Sequence, residues 1–131
     1  MHIPIAEAVT AARRQYQETY QSYPFTPDLP GDTGVSYEAF GGLDTGGTFW
    51  DLAKTHGVRG MFFAHQHNIA TSIVYDGIRL SYGLKTSTHD YHRPDMLGSL
   101  VITLGEENGE LSVKYNHTEL PYQNSGETVT Y

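Results

Sequence analysis

An α+β architecture is what this sequence predicts, and three observations predict it. A helical stripe opens the chain, a stretch dense in proline and glycine follows, and from residue 58 onward runs of β-forming residues alternate with turn signals. Together these give two helices followed by a mainly antiparallel sheet of about five strands.

Ile5, Val9, Ala12, Tyr16 and Tyr20 recur at spacings of three and four, which predicts an amphipathic helix over residues 5–20. Residues 21–47 then carry Pro24, Pro27, Pro30, Gly31, Gly34, Gly41, Gly42, Gly46 and Gly47, a density of breakers that no helix interior tolerates. This stretch reads as a long irregular loop, either the edge of a substrate cleft or an ordinary mobile surface loop. Thr48 and Asp51 resemble a capping box, and Gly57 stands where a left-handed helix terminator is expected after His56, so a short helix is placed over 49–55. Residues 58–63 read as a brief buried strand ending in His65-Gln66-His67. Residues 69–75 and 78–82 are β-rich and separated by Asp76-Gly77, the pair that favours a two-residue type I′ turn. A polar, irregular segment spans 84–97, and strands over 99–104 and 110–115 form a second hairpin. The remainder, 116–131, has little periodicity and reads as an extended tail.

A length of 131 residues suits one compact domain over 1–131. The net charge of −7 repels a phosphate backbone, so nucleic acid is excluded as a structural partner, and an anionic substrate needs a local cation. No apolar run approaches the roughly 18 residues of a membrane span, and the first residues lack a signal-peptide layout, so the chain reads as soluble and cytoplasmic rather than secreted. Without cysteine, ligands for a metal come from His, Asp and Glu.

His65 and His67 are the most specific feature. On an extended segment, residues two apart point to one side, so both imidazoles can converge on an ion while Gln66 points away. Neutral imidazole serves zinc, iron, manganese and copper. A cupin site also begins with His-x-His, but it places a glutamate a few residues on, where this chain has Ile69-Ala70-Thr71-Ser72. His89, Asp90, His92, Lys85 and Arg93 lie in the irregular segment after the first hairpin. Of these, His89, His92 and Lys85 are taken as candidate substrate contacts at a cleft rim.

His2-Ile3-Pro4-Ile5, a helix, a Gly-rich loop, an apolar strand, His65-x-His67, and Asp76-Gly77-Ile78-Arg79-Leu80-Ser81-Tyr82-Gly83 follow one another in an order that resembles calcineurin-like metallophosphoesterases, in particular members related to purple acid phosphatases. The resemblance covers residues 2 to about 104. It implies that His2, His65 and His67 are metal ligands, His2 and His65 sharing one divalent ion (Mn, Fe or Zn) and His67 serving the other. Ala64 replaces the family's glycine before the paired histidines, and Gln66 replaces its frequent aspartate. The family's Asp-x-His, bridging aspartate and Gly-Asn-His have no counterpart here, so the resemblance implies the C-terminal portion of a metallophosphoesterase domain, one half of an α/β/β/α sandwich. The expected function is hydrolysis of a phosphate mono- or diester when the missing N-terminal half or a second copy completes the site, with weak metal binding and little turnover by the chain alone. Two other readings stand beside it: a small metal-binding or protein-interaction module without catalysis, and a three-histidine metal enzyme using His2, His65 and His67 at one ion.

Overall fold

The computed structural model describes residues 1–15, 23–27, 29–41 and 47–118. Helix α1 (Ala6–Gln15) occupies the first part of the predicted stripe; residues 16–20 lie outside the described residues, as do 28, 42–46 and the tail from 119. Its buried Ala8, Ala11 and Ala12 allow close approach to the sheet, and they share one core cluster with Ile5, Ile69 and Ile73. Helix α2 (Gly47–Thr55) buries Trp50 and Ala53. It ends in a Schellman motif: Val58 N–H donates to Ala53 O at 2.9 Å, Gly57 N–H donates to Lys54 O at 3.1 Å, and Gly57 has φ +69°.

Four strands form the main sheet: β1 (Thr33–Ser36), β2 (Gly60–Phe63), β3 (Ile69–Tyr75) and β4 (Ile78–Tyr82), in the spatial order β1-β3-β4-β2. The β3–β4 hairpin falls on the expected boundaries, and its turn residues Asp76 and Gly77 both have positive φ, +50° and +82°, as a type I′ turn requires. The β2–β4 pairing is parallel, with Met61 opposite Leu80. Strand β1 is antiparallel to β3, Val35 facing Ala70, and lies within the stretch that the sequence assigns to a loop. Strands β5 (Gly98–Leu104) and β6 (Leu111–His117) form a separate two-stranded sheet. The expected single sheet of about five strands is therefore six strands in two sheets, still α+β and mainly antiparallel.

Alternation along the strands sets the layers. One face of the main sheet presents Met61, Phe63, Ile69, Ile73, Ile78, Leu80 and Tyr82 to the helices, forming the principal core with Phe40 and Trp50. The other face presents Ala70, covered by Leu84, Met96 and Tyr115. The β5–β6 hairpin is tied to this face by Tyr115, whose hydroxyl donates to Tyr82 O at 2.8 Å. No described helix is long and apolar enough to cross a membrane.

This topology gathers the C-terminal ends of β1, β2 and β4 with the start of β3 at one end of the sheet. The segments leaving those strands, 37–41, 64–68 and 83–87, meet there.

Candidate functional site

At this end the chain turns sharply between β2 and β3. Gln66 N–H donates to Ala64 O at 2.9 Å, closing a three-residue γ-turn whose central residue, His65, has φ +75°. This is the strained form of the γ-turn, and strain of this kind concentrates where side-chain aim matters. The turn changes the expected geometry. The segment is not extended, so His65 and His67 do not share a side by simple alternation.

His65 turns to the N-terminal segment instead. Met1 N donates to Phe62 O at 2.8 Å and Ala64 N–H donates to His2 O at 3.0 Å, so residues 1–2 run beside the end of β2. The His2 and His65 rings meet edge to face at 5.2 Å, with His2 Nε2 3.3 Å from His65 Nδ1. Between neutral rings this is an N–H···N contact. It is also the spacing of two ligands on one ion: nitrogens each roughly 2.0–2.1 Å from a tetrahedral centre stand about 3.3 Å apart.

His67 takes a separate place. Its Nδ1–H donates to Tyr91 O at 2.7 Å, and its ring stacks on the Tyr91 ring at 4.2 Å. That bond fixes the tautomer and leaves Nε2 with its lone pair, the second-shell arrangement common to ligating histidines. Tyr91 is placed by its own loop: Arg93 lies over the Tyr37 ring at 3.7 Å and pairs with Asp95 through two hydrogen bonds, linking 90–95 to the end of β1. Desolvation, reinforced by the Glu38 carboxylate, pushes the Tyr91 phenol above its ordinary range.

The histidines form a ridge between two clefts. A larger one, about 550 Å³, is lined by the three histidines with Glu38, Gln66, Asp90 and Tyr91. A smaller one, about 220 Å³, shares His2, His65, Gln66 and His67 and adds Lys85, Thr86 and Ser87. Glu38 is pinned from both ends: Ser36 Oγ donates to Glu38 O at 2.7 Å, and Asn68 N–H donates to Glu38 Oε1 at 2.8 Å. Among the described residues, no group of three or more His, Asp and Glu side chains is placed to hold a single ion. The donor set therefore fits a metal in part, through the His2–His65 pair and separately through His67 Nε2.

Of the sequence candidates, His2, His65, His67 and Lys85 line the clefts. His89 is exposed and His92 half-buried, the latter donating from Nδ1 to Asp90 O at 3.0 Å; neither is a lining residue of the two clefts. Glu38 and Tyr91 were not legible, because a lone Glu in a Gly-rich stretch and a Tyr beside an Asp carry no motif. Only the pairing of β1 with β3 and the return of the 84–97 segment bring them in. No protein-family model, curated protein or solved structure matches this chain.

Proposed function

We propose that this chain supplies the histidine side of a metal-dependent phosphoesterase site of the calcineurin-like kind, acting on a phosphate mono- or diester. The observation that carries the reading is the 3.3 Å approach of His2 Nε2 to His65 Nδ1, between residues far apart in sequence, at the separation two ligands of one divalent ion adopt. The fixed His67 tautomer supports it. A bound ion (Mn, Fe or Zn) would act as a Lewis acid toward a phosphoryl oxygen and lower the pKa of a bound water.

The chain's own residues divide the remaining tasks. Lys85, Thr86 and Ser87 lie on one side of the ridge and supply a cation and hydroxyl donors for phosphate oxygens. Glu38 and Asp90 lie on the other side and would offset the charge of an ion that the neutral His2–His65 pair does not compensate. Substrate contact is assigned to Lys85 rather than to His89 or His92, since the His92 ring holds its own loop. The acidic ligands of a full two-metal centre come, on this reading, from an N-terminal half or a second copy.

A second reading, a metal-binding or interaction module without catalysis, is favoured by the absence of a three-ligand cluster among the described residues.

Two measurements on the purified chain separate these readings. Cobalt or zinc titration is expected to show one saturable site, weakened at least tenfold in His2→Ala and in His65→Ala; a wild-type chain that binds neither ion would sink the phosphoesterase reading and leave only an interaction module without metal. Hydrolysis of a chromogenic phosphodiester with added manganese is expected to match the His65→Ala/His67→Ala background. Activity above that background means that the chain completes a site by itself or across copies. Metal binding without activity, persisting when an N-terminal half is supplied, favours the module.

A further inference from the structure

The opposite end of the main sheet carries a different chemistry. Arg59, the residue before β2, and Arg79, the second residue of β4, line one concavity of about 160 Å³ with Val74, Gly77, Glu110 and Leu111. The backbone makes them neighbours: Arg79 N–H donates to Arg59 O at 2.9 Å, continuing the parallel register in which Gly60 faces Arg79. Strand β2 starts beside Arg59 and ends at Phe63, before the turn that carries His65, so the two arginines and the histidines stand at opposite ends of the sheet.

Both guanidiniums are held by neutral acceptors. Arg79 Nη1 donates to Gly31 O at 3.0 Å and to Ser72 Oγ at 2.9 Å, and the buried Ser72 hydroxyl in turn meets that of Ser81 at 2.8 Å. Arg59 Nη1 reaches Asn108 O at 3.4 Å, in the turn between β5 and β6. Among the described residues the ion pairs are Lys54–Asp76 and Arg93–Asp95, so neither Arg59 nor Arg79 is neutralised, and the Asp76 carboxylate next to Gly77 is engaged by Lys54. The chain holds fifteen acidic residues against eight basic ones, yet among the described residues it leaves two guanidiniums without an ion pair in one pocket, where Glu110 is the one acidic lining residue. An anion between them would pair with both charges, and among the described residues Nε and Nη2 of each make no hydrogen bond, which leaves them as donors in the fork geometry that suits oxyanions.

We infer that Arg59 and Arg79 form a binding site for a small tetrahedral oxyanion of the phosphate class, with Glu110 as an acidic rim residue that competes with the ligand. Arg79 is the preorganised member, fixed against the sheet by Ser72 and Gly31. Arg59 rides on the β5–β6 turn, so an anion bridging the two clamps that turn to the main sheet.

The test is calorimetric titration of inorganic phosphate into the chelator-treated full chain. The expected result is a saturable 1:1 isotherm, at least tenfold weaker in Arg59→Gln and Arg79→Gln, several-fold tighter in Glu110→Gln, and unchanged in His65→Ala/His67→Ala. Sulfate displaces phosphate, and acetate at equal concentration does not. Because Arg79→Gln also removes contacts to Gly31 and Ser72, the exposed Arg59 provides the variant whose melting temperature stays at the wild-type value. The inference is overturned by the absence of saturable binding, by binding that survives Arg59→Gln, by loss of binding in the histidine double variant, or by equal displacement with acetate.

Discussion

Two glycines with the same sign of φ show how residue-scale constraint depends on surroundings. Gly34 has φ +104°, and a β-carbon placed on it would lie 1.8 Å from Ala70 O on the paired strand. Gly57 has φ +69° with nothing within 4 Å of such a carbon. Alanine at 57 meets only the intrinsic left-handed penalty, so Gly57→Ala is expected to cost about 1 kcal/mol. Alanine at 34 meets the penalty and a backbone clash that no rotamer relieves, so Gly34→Ala is expected to cost about 3 kcal/mol or more by forcing β1 off β3. Urea unfolding of both variants checks the contrast. Equal losses would mean that β1 pairs too loosely to transmit the clash. The sequence marks both positions only as glycine; the difference lies in what the fold brings opposite them.

At the scale of elements, legibility follows the range of the signal. Helix α2 with its Gly57 terminator and the β3–β4 hairpin were readable because cap and turn chemistry is local: Asp76-Gly77 alone specifies the type I′ turn. Strand β1 was not readable. Its four residues contain Gly34 and follow Pro30 and Gly31, and it is extended because Phe25 bridges it on one edge and β3 pairs on the other. The site divides in the same way. His2, His65 and His67 stood out by motif, whereas Glu38 and Tyr91 depend on loops that only tertiary structure brings together. The β5–β6 hairpin illustrates a long-range tie with a pH signature. Its face of Leu100, Ile102, Leu104, Leu111, Val113 and Tyr115 is incompletely covered, Leu104 remaining 68% exposed, so the Tyr115 hydroxyl on Tyr82 O is a main attachment. Burial raises the Tyr115 pKa above its ordinary value. The folded state therefore holds this proton more tightly than the unfolded chain, and the associated stability is complete below pH about 10 and declines as pH rises beyond it. Tyr115→Phe is expected to lower stability at pH 7 by about 1 kcal/mol through the lost hydrogen bond. It is also expected to flatten the alkaline decline, which thermal unfolding between pH 7 and 11 would reveal. An unchanged alkaline slope would place the hydroxyl in water and detach the hairpin from β4.

For the molecule as a whole, the site and the fold are coupled through the N-terminal segment. Residues 1–2 reach the end of β2 through two backbone bonds, Met1 N to Phe62 O and Ala64 N–H to His2 O, and these set the His2 ring beside His65 without any ion. On the proposed reading, an ion shared by the two rings would close the chain from residue 2 to residue 65, across α1, β1, α2 and β2, and would bind the folded state in preference to the unfolded one. Linkage then requires a rise in global stability, about 2.7 kcal/mol at a free metal concentration one hundred times the dissociation constant. For a domain of this size that corresponds to a rise in melting temperature of roughly 5–15 °C. His2→Ala and His65→Ala are each expected to abolish the rise while changing the metal-free melting temperature little, since both side chains are exposed. His67→Ala is expected to retain it, because that ring is bonded to Tyr91 O and stands outside the pair. Calorimetric scans of the four proteins with zinc and with chelator decide the matter. A full rise in His2→Ala would place the ion on His65 and His67 alone, and the N-terminal segment would then contribute only its backbone to the sheet.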